Sequence, residues 1–273
     1  MRKLILFTVF IFLSLCAANA KSVEFSAVSN LGLEVDKSVK YADKMTPSIK
    51  NLLDVVEQIN NNQSEFTIFL GDNLKGPDKY NLVMFAKIAR KLKKPLYALV
   101  GDKDVSQTKN LDKKEYYRVL NIFSKNRIKD YPYAKKINGF VFVFIDGVNQ
   151  FIPTQYGYYK EDQTALLDEL LKKYKNYPVV LVGHYPIFNS DEIGENMLPN
   201  NIKPLQEVIL RHNNVIVTIF GHHNIDDEYT KNGIYNIGVQ SLEKSGEYKK
   251  IYIDYDEKTK NTFVKTRIYG VDN

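Results

Sequence analysis

Short apolar runs alternate with helix-periodic stretches along almost the whole chain. Runs at 23–28, 66–70, 96–100, 140–145, 179–182 and 215–220 are nearly continuous in apolar residues. Such runs predict strands buried on both faces. A further run follows at 234–239, and segments 248–255 and 262–269 alternate apolar with polar residues around a turn at 257–261. That alternation predicts a hairpin with one face on the core. Between the strands, Ile49, Leu52, Leu53, Val56 and Ile59 recur at helical spacing, behind Thr46 as N-cap and Pro47 in the first turn. Leu82, Phe85, Ile88, Ala89 and Leu92 repeat the spacing, as do Leu166, Leu167, Leu170, Leu171 and Tyr174, and then Leu205, Val208 and Ile209. Strands and helices in alternation predict a layered α/β domain. No internal repeat, low-complexity tract or long linker divides it. Residues 103–136, rich in Lys, Tyr and Asn, are the expected place for an insertion over a site.

Residues 1–20 stand outside this pattern. Arg2 and Lys3 precede an apolar stretch from Leu4 to Leu15, and Ala18-Asn19-Ala20 offers small residues for cleavage. This is the three-part pattern of a secretory signal peptide, which leaves a domain over 21–273. About a dozen apolar residues are too few for a membrane-spanning helix. Tethering as a lipoprotein through Cys16 is a second reading, weakened because bulky Leu15 precedes the cysteine. The expected location is therefore exported, periplasmic or secreted, with no transmembrane segment after cleavage.

Cys16 is the only cysteine, so the mature chain has no disulfide and no thiolate; any metal must be held by oxygen and nitrogen. The formal charge is +6, yet the lysines are dispersed among acids, as in Asp112-Lys113-Lys114-Glu115. A mildly basic surface suits anionic small molecules. The nineteen tyrosines are scattered, and nothing in the chain resembles a nucleic-acid footprint.

The chemistry is expected where the strands end. Four apolar runs stop in Gly71-Asp72-Asn73, Gly101-Asp102-Lys103-Asp104, Gly183-His184-Tyr185-Pro186 and Gly221-His222-His223-Asn224. Glycine allows a sharp turn and close backbone approach, and the carboxyl ends of strands are where open α/β sheets build sites.

In this order, these residues resemble the calcineurin-like metallophosphoesterases, nearest the purple acid phosphatase branch. That family carries Asp-x-Gly or Asp-x-His, Gly-Asp-x-x-Tyr, Gly-Asn-His-Asp/Glu, Gly-His and Gly-His-x-His. Here the first reads Asn30-Leu31-Gly32 and the second Gly71-Asp72-Asn73-Leu74-Lys75. Asp162-Gln163 with Leu166-Leu167 before the Gly-His strand is similar as well. The resemblance implies a four-layer α-β-β-α sandwich of mixed sheets flanked by helices. It also implies a site for two metals that clamp a phosphoryl displacement.

Carried over by position, one divalent metal (zinc, manganese or iron) takes Asp72, Asp102, His184 and His222. The family's usual Asn stands as Asp102. The other metal finds Asn30, Lys75 and Asn224 where Asp, Tyr and His are usual, so its site is degenerate. Lys75 is expected either at the second-metal position, paired with Asp72, or on a solvated loop. Lys103 replaces the family's imidazole; an ordinary lysine is a poor general acid at neutral pH and a good phosphate binder. Asp104 is expected to pair with Lys103, and His223 is a further candidate for the catalytic group. His212 reads as a helix C-terminal cation, and Asn189 as a possible substrate contact.

The function implied is an exported metal-dependent phosphoesterase acting on phosphorylated small molecules, phosphomonoesters foremost, at a mononuclear site. The alternative is a catalytically inactive relative that serves as a binding module in the cell envelope.

Overall fold

The computed structural model describes residues 20–36, 45–128, 131–151 and 155–271; the leader expected at 1–20, with Cys16, lies outside them apart from Ala20. The chain begins with β1 (Ala20–Val28), α1 (Pro47–Asn61), β2 (Thr67–Phe69), α2 (Lys79–Ala89) and β3 (Leu96–Ala98). It continues with α3 (Lys113–Phe123), β4 (Tyr133–Ile137), β5 (Phe140–Phe144), α4 (Glu161–Lys173) and β6 (Val179–Val182). Next come α5 (Ile202–Arg211), β7 (Val215–Phe220), β8 (Glu228–Lys231) and β9 (Ile234–Gly238). The short α6 (Leu242–Ser245) precedes the hairpin of β10 (Glu247–Asp256) and β11 (Thr262–Gly270).

One sheet has the order β11-β10-β1-β2-β3 and the other β4-β5-β6-β7-β9-β8. Both are mixed. β1, β2 and β3 are parallel with β10 antiparallel beside them, whereas β5, β6, β7 and β9 are parallel between antiparallel β4 and β8. The parallel strands of each sheet therefore present their carboxyl ends along one edge.

Strand β5 shows how the layers are set. Its side chains alternate between faces, so Phe140, Phe142 and Phe144 share one side and Val141 and Val143 the other. Phe142 meets Phe25 and Phe66 edge-on at 5.4 and 5.1 Å, and Phe144 stacks on Tyr97 at 5.2 Å, joining the two sheets face to face. Val141, Val143 and Ile145 pack instead with Leu167 and Leu171 of α4 and with Leu205 and Ile209 of α5. Across the molecule, Phe69 of β2 turns outward onto Phe85 of α2, with ring centroids 5.1 Å apart. The order is helices, sheet, sheet, helices. Thr46 caps α1 by accepting from the Ile49 amide, with Pro47 in the first turn, as the sequence predicts.

The segment 103–136 departs from expectation. Beyond Lys103, which lines the site, it is not an insertion over it; it carries α3, which packs beside α2, and β4, which extends the second sheet. Asp112 caps α3, and Tyr116, Tyr117, Val119 and Leu120 form its buried face. The many lysines hide this amphipathic pattern. β4 and β8 also escape the sequence reading because polar edge strands need no apolar run.

Because Phe142 fills the space between the sheets at 0% exposure, Phe142→Ala should lower unfolding stability by about 3–5 kcal/mol. Denaturant titration checks this, with a loss below 1 kcal/mol (~0.5–1.5 being typical of a conservative trim) counting against the central role.

Candidate metal centre

Two of the four Gly-terminated strands, β2 and β3, belong to the first sheet, and β6 and β7 to the second. Packing the sheets face to face brings their carboxyl edges together, and with them Asp72, Asp102, His184 and His222. His184 Nε2 lies 3.2 Å from Asp102 Oδ1 and 3.6 Å from Asp72 Oδ1. His222 Nδ1 lies 3.2 Å from Asp102 Oδ1 and 3.2 Å from His184 Nε2. One donor atom from each residue sits within 4.8 Å of all the others. Asp72 and His184 are buried; Asp102 and His222 are partly exposed.

Such convergence requires bare backbone at the turns. A Cβ on Gly101 would lie 2.1 Å from the Asp72 amide nitrogen, and one on Gly71, at φ +97°, 2.6 Å from His184 Nδ1. Strain gathers here too. Of eight non-glycine residues with positive φ among those described, Asn30, Asp72, His222 and Asn224 belong to the turns around the cluster.

A buried carboxylate ties the first two turns together. Asp104 accepts from the amides of Gly101 and Leu74, both at 2.8 Å, and does not pair with Lys103 as the sequence suggests. Burial and the nearby Asp72 charge push its carboxyl up to about 7. Asn73 adds a second tie, donating to the Leu99 carbonyl and the Tyr116 hydroxyl, both at 2.9 Å. Neither role is visible in sequence, because both depend on which turn lies opposite.

The His184 ring is oriented from behind. Its Nδ1 donates to the Leu70 carbonyl at 2.7 Å, which turns Nε2 toward the two carboxylates and His222. A backbone partner of this kind fixes the tautomer that ligates through Nε2. Burial opposes charge on this ring, but Asp72 and the hydrogen bond with Asp102 outweigh it and push the pKa up to about 9. Burial likewise works against the Asp102 charge, yet His184 and His222 hold its carboxyl well below the usual range. Two carboxylates and two imidazoles thus form a compact set of oxygen and nitrogen donors. Nitrogen and oxygen donors at these separations fit a divalent zinc, manganese or iron ion.

The positions beside this cluster hold a different chemistry. Asn30 is 1% exposed and fully engaged. Its Nδ2 donates to the His222 carbonyl (2.9 Å) and to Asn224 Oδ1 (2.7 Å), while its Oδ1 accepts from Ser29 Oγ at 2.8 Å. Lys75 pairs with Glu243 and not with Asp72. The cation against Asp72 is Lys103, whose Nζ lies 2.8 Å from Asp72 Oδ2. Burial pulls the Lys103 pKa down, but Asp72 overcomes this and the net shift is upward.

The remaining candidates separate cleanly. His223 faces the pocket above the cluster; its Nε2 donates to the Met197 carbonyl at 3.0 Å, and burial together with His222 lowers its pKa to about 4. His212 follows α5 and meets Asp168 of α4 at 2.6 Å. Asn189 lines a neighbouring cavity, apart from the cluster. Tyr185 is buried with its ring 4.9 Å from that of His184 and 4.6 Å from that of His222, so it walls the centre. The pocket itself is about 420 Å³, and Gln155, Tyr156, Asn196 and Met197 complete its rim. No strand-end motif marks these four, so the sequence gives no sign of them.

The sequence pattern of the calcineurin-like phosphoesterase family matches residues 45–225. The fold is similar to that of a dimetal phosphatase from Danio rerio, with TM-score 0.65 and 14% identity over 92% of this chain and 99% of that one. It is also similar to the protein described as the anchor in the inner membrane complex of Plasmodium (TM-score 0.55, 14% identity, 93% and 90% covered). A purple acid phosphatase from yellow lupin gives TM-score 0.57 at 10% identity, over 90% of this chain but 53% of the lupin chain. At these identities the likeness is one of fold. No curated protein matches the sequence. Because more than half of the chain follows the family pattern, and its strand-end ligands converge as that chemistry requires, this protein belongs to the calcineurin-like phosphoesterase family.

Proposed function

We propose that this chain is an exported phosphoesterase that hydrolyses phosphomonoesters at a mononuclear site, in the manner of a reduced purple acid phosphatase. The observation that carries the reading is the His184–Leu70 hydrogen bond, which aims a ring nitrogen at Asp72, Asp102 and His222. A divalent ion held by these four residues would supply Lewis acidity to the phosphoryl group and the attacking water.

The protein's own groups then divide the remaining work. Lys103, held in its charged form beside Asp72, neutralises phosphate charge and does not release a proton at neutral pH. His223 is a neutral imidazole whose Nε2–H is committed to the Met197 carbonyl, so its Nδ1 can only accept, from a group that carries a proton such as a substrate hydroxyl. Asn30, Asn224 and Lys75 spend their polar groups on the protein, which supports a single-metal reading over a dinuclear one. The half-open pocket admits a small ester. Export rests on the basic, apolar and small-residue pattern of 1–20. Among the described residues no helix is long and apolar enough to cross a membrane.

A second reading is a binding module without turnover. The Lys103–Asp72 pair favours it, because an ammonium already engages a carboxylate that would otherwise help to hold metal. One fold relative is described as an anchor.

Metal analysis of the purified chain should give one divalent ion per molecule. His184→Ala and His222→Ala should each lose that ion and lower hydrolysis of an aryl phosphate by more than about 100-fold, beyond the loss expected for a partner outside the ligand set. Folded, metal-free wild-type protein without turnover would leave the binding-module reading in its place. The triple variant Asn30→Asp, Lys75→Tyr, Asn224→His should raise the metal content from one ion to two. An unchanged content would refute the assignment of those positions.

A further inference from the structure

A larger cavity, of about 940 Å³, opens between α3, residues 146–151 after β5 and residues 158–163 at the start of α4. It shares no lining residue with the pocket above the metal cluster. Five cations from separate parts of the chain line it: Lys113, Lys114 and Arg118 of α3, Arg127 after that helix, and Lys160 at the N-cap of α4. The single carboxylate among the lining residues is Asp146, and Lys113 Nζ already holds it at 2.6 Å. Arg118 is held by Glu115 at 2.7 Å, leaving Lys114, Arg127 and Lys160 exposed and without an ion pair among the described residues.

The cavity is built, not a gap between mobile side chains. Gln150 accepts from the Lys113 amide at 2.8 Å and its own carbonyl accepts from the Gln107 amide at 3.0 Å, which fastens one wall to the start of α3. Asp146 also accepts from the Val148 amide at 2.9 Å, fixing the turn that carries it. Buried Tyr117 contributes an aromatic floor, and half-exposed Tyr158 a ring at the mouth. Elsewhere the lysines alternate with acids; here folding gathers three cations without an ion pair among the described residues around one space.

We propose that this cavity is a second anion site, built for a small molecule bearing an oligophosphate chain. Cations from α3, from the stretch after it and from the start of α4 around one concavity match several linked negative groups better than a single one. Arg127 offers the planar fork that pairs with phosphate, and the volume is that of a small-molecule site. The ring at the mouth can stack a planar group joined to the chain.

Calorimetric titration with tripolyphosphate and with ATP tests the proposal in parallel arms. Both probes should bind the wild-type protein and, with unchanged affinity, the His184→Ala variant, where no metal centre competes for phosphate. The variant Lys114→Ser, Arg127→Ser, Lys160→Ser should bind each probe at least about tenfold more weakly, the loss of a single charge-assisted contact. Its melting temperature, metal content and aryl phosphate turnover should not change. Tighter binding of ATP than of tripolyphosphate assigns the mouth to a nucleoside; equal affinity assigns the site to the phosphate chain alone. Unaltered affinity in the triple variant would overturn the proposal. So would loss of binding in His184→Ala, which would place the probes at the metal cluster.

Discussion

Where the turns after β2 and β3 cross, a side chain on Gly101 would lie 2.1 Å from the Asp72 amide, so the two turns can meet only as bare backbone. Asp72 and Asp102 owe their separation to that contact, and the buried Asp104 carboxylate holds it by accepting from both turns. The cost is visible in the positive φ of Asp72, His222, Asn30 and Asn224. A core of stacked and edge-on aromatic rings between the sheets supplies the stability that lets four such turns persist side by side.

Much of this is legible in sequence, because strand ends and ligand types are local features. Each Gly followed by Asp or His announces both a turn and a donor, and four of them leave few ways to arrange a domain. What is not legible depends on reach across space. Lys75 follows Asp72 by three residues and Lys103 lies in a different turn, yet their long side chains choose partners by geometry: Lys75 takes Glu243 and Lys103 takes Asp72. Asp104 looks like a partner for its neighbour Lys103 but turns inward to backbone amides. Helix α3 is hidden for a different reason, the lysines around its short buried face of Tyr116, Tyr117, Val119 and Leu120. The rim residues Gln155, Tyr156, Asn196 and Met197 come from irregular segments, where no periodicity exists to read.

Charge follows the same division. A formal +6 spread along the chain describes a bland basic surface. Folding redistributes it. At the metal cluster two carboxylates and two imidazoles converge as donors for a cation, whereas between α3 and α4 cations predominate and create a demand for an anion. Neither sign is apparent from a count, since lysines with adjacent acids in sequence can part from them in space.

The amide of Asn30 has one further consequence. It reaches sideways to the His222 carbonyl and to the Asn224 side-chain oxygen, so it acts as a strut between the first strand's end and the seventh's. A carboxylate placed there alone would confront two oxygens with no hydrogen to offer either. The Asn224 amide would have to turn over to offer its NH2 and the His222 carbonyl would lose its donor, so the residues at 30 and 224 are energetically coupled and changes there do not add independently.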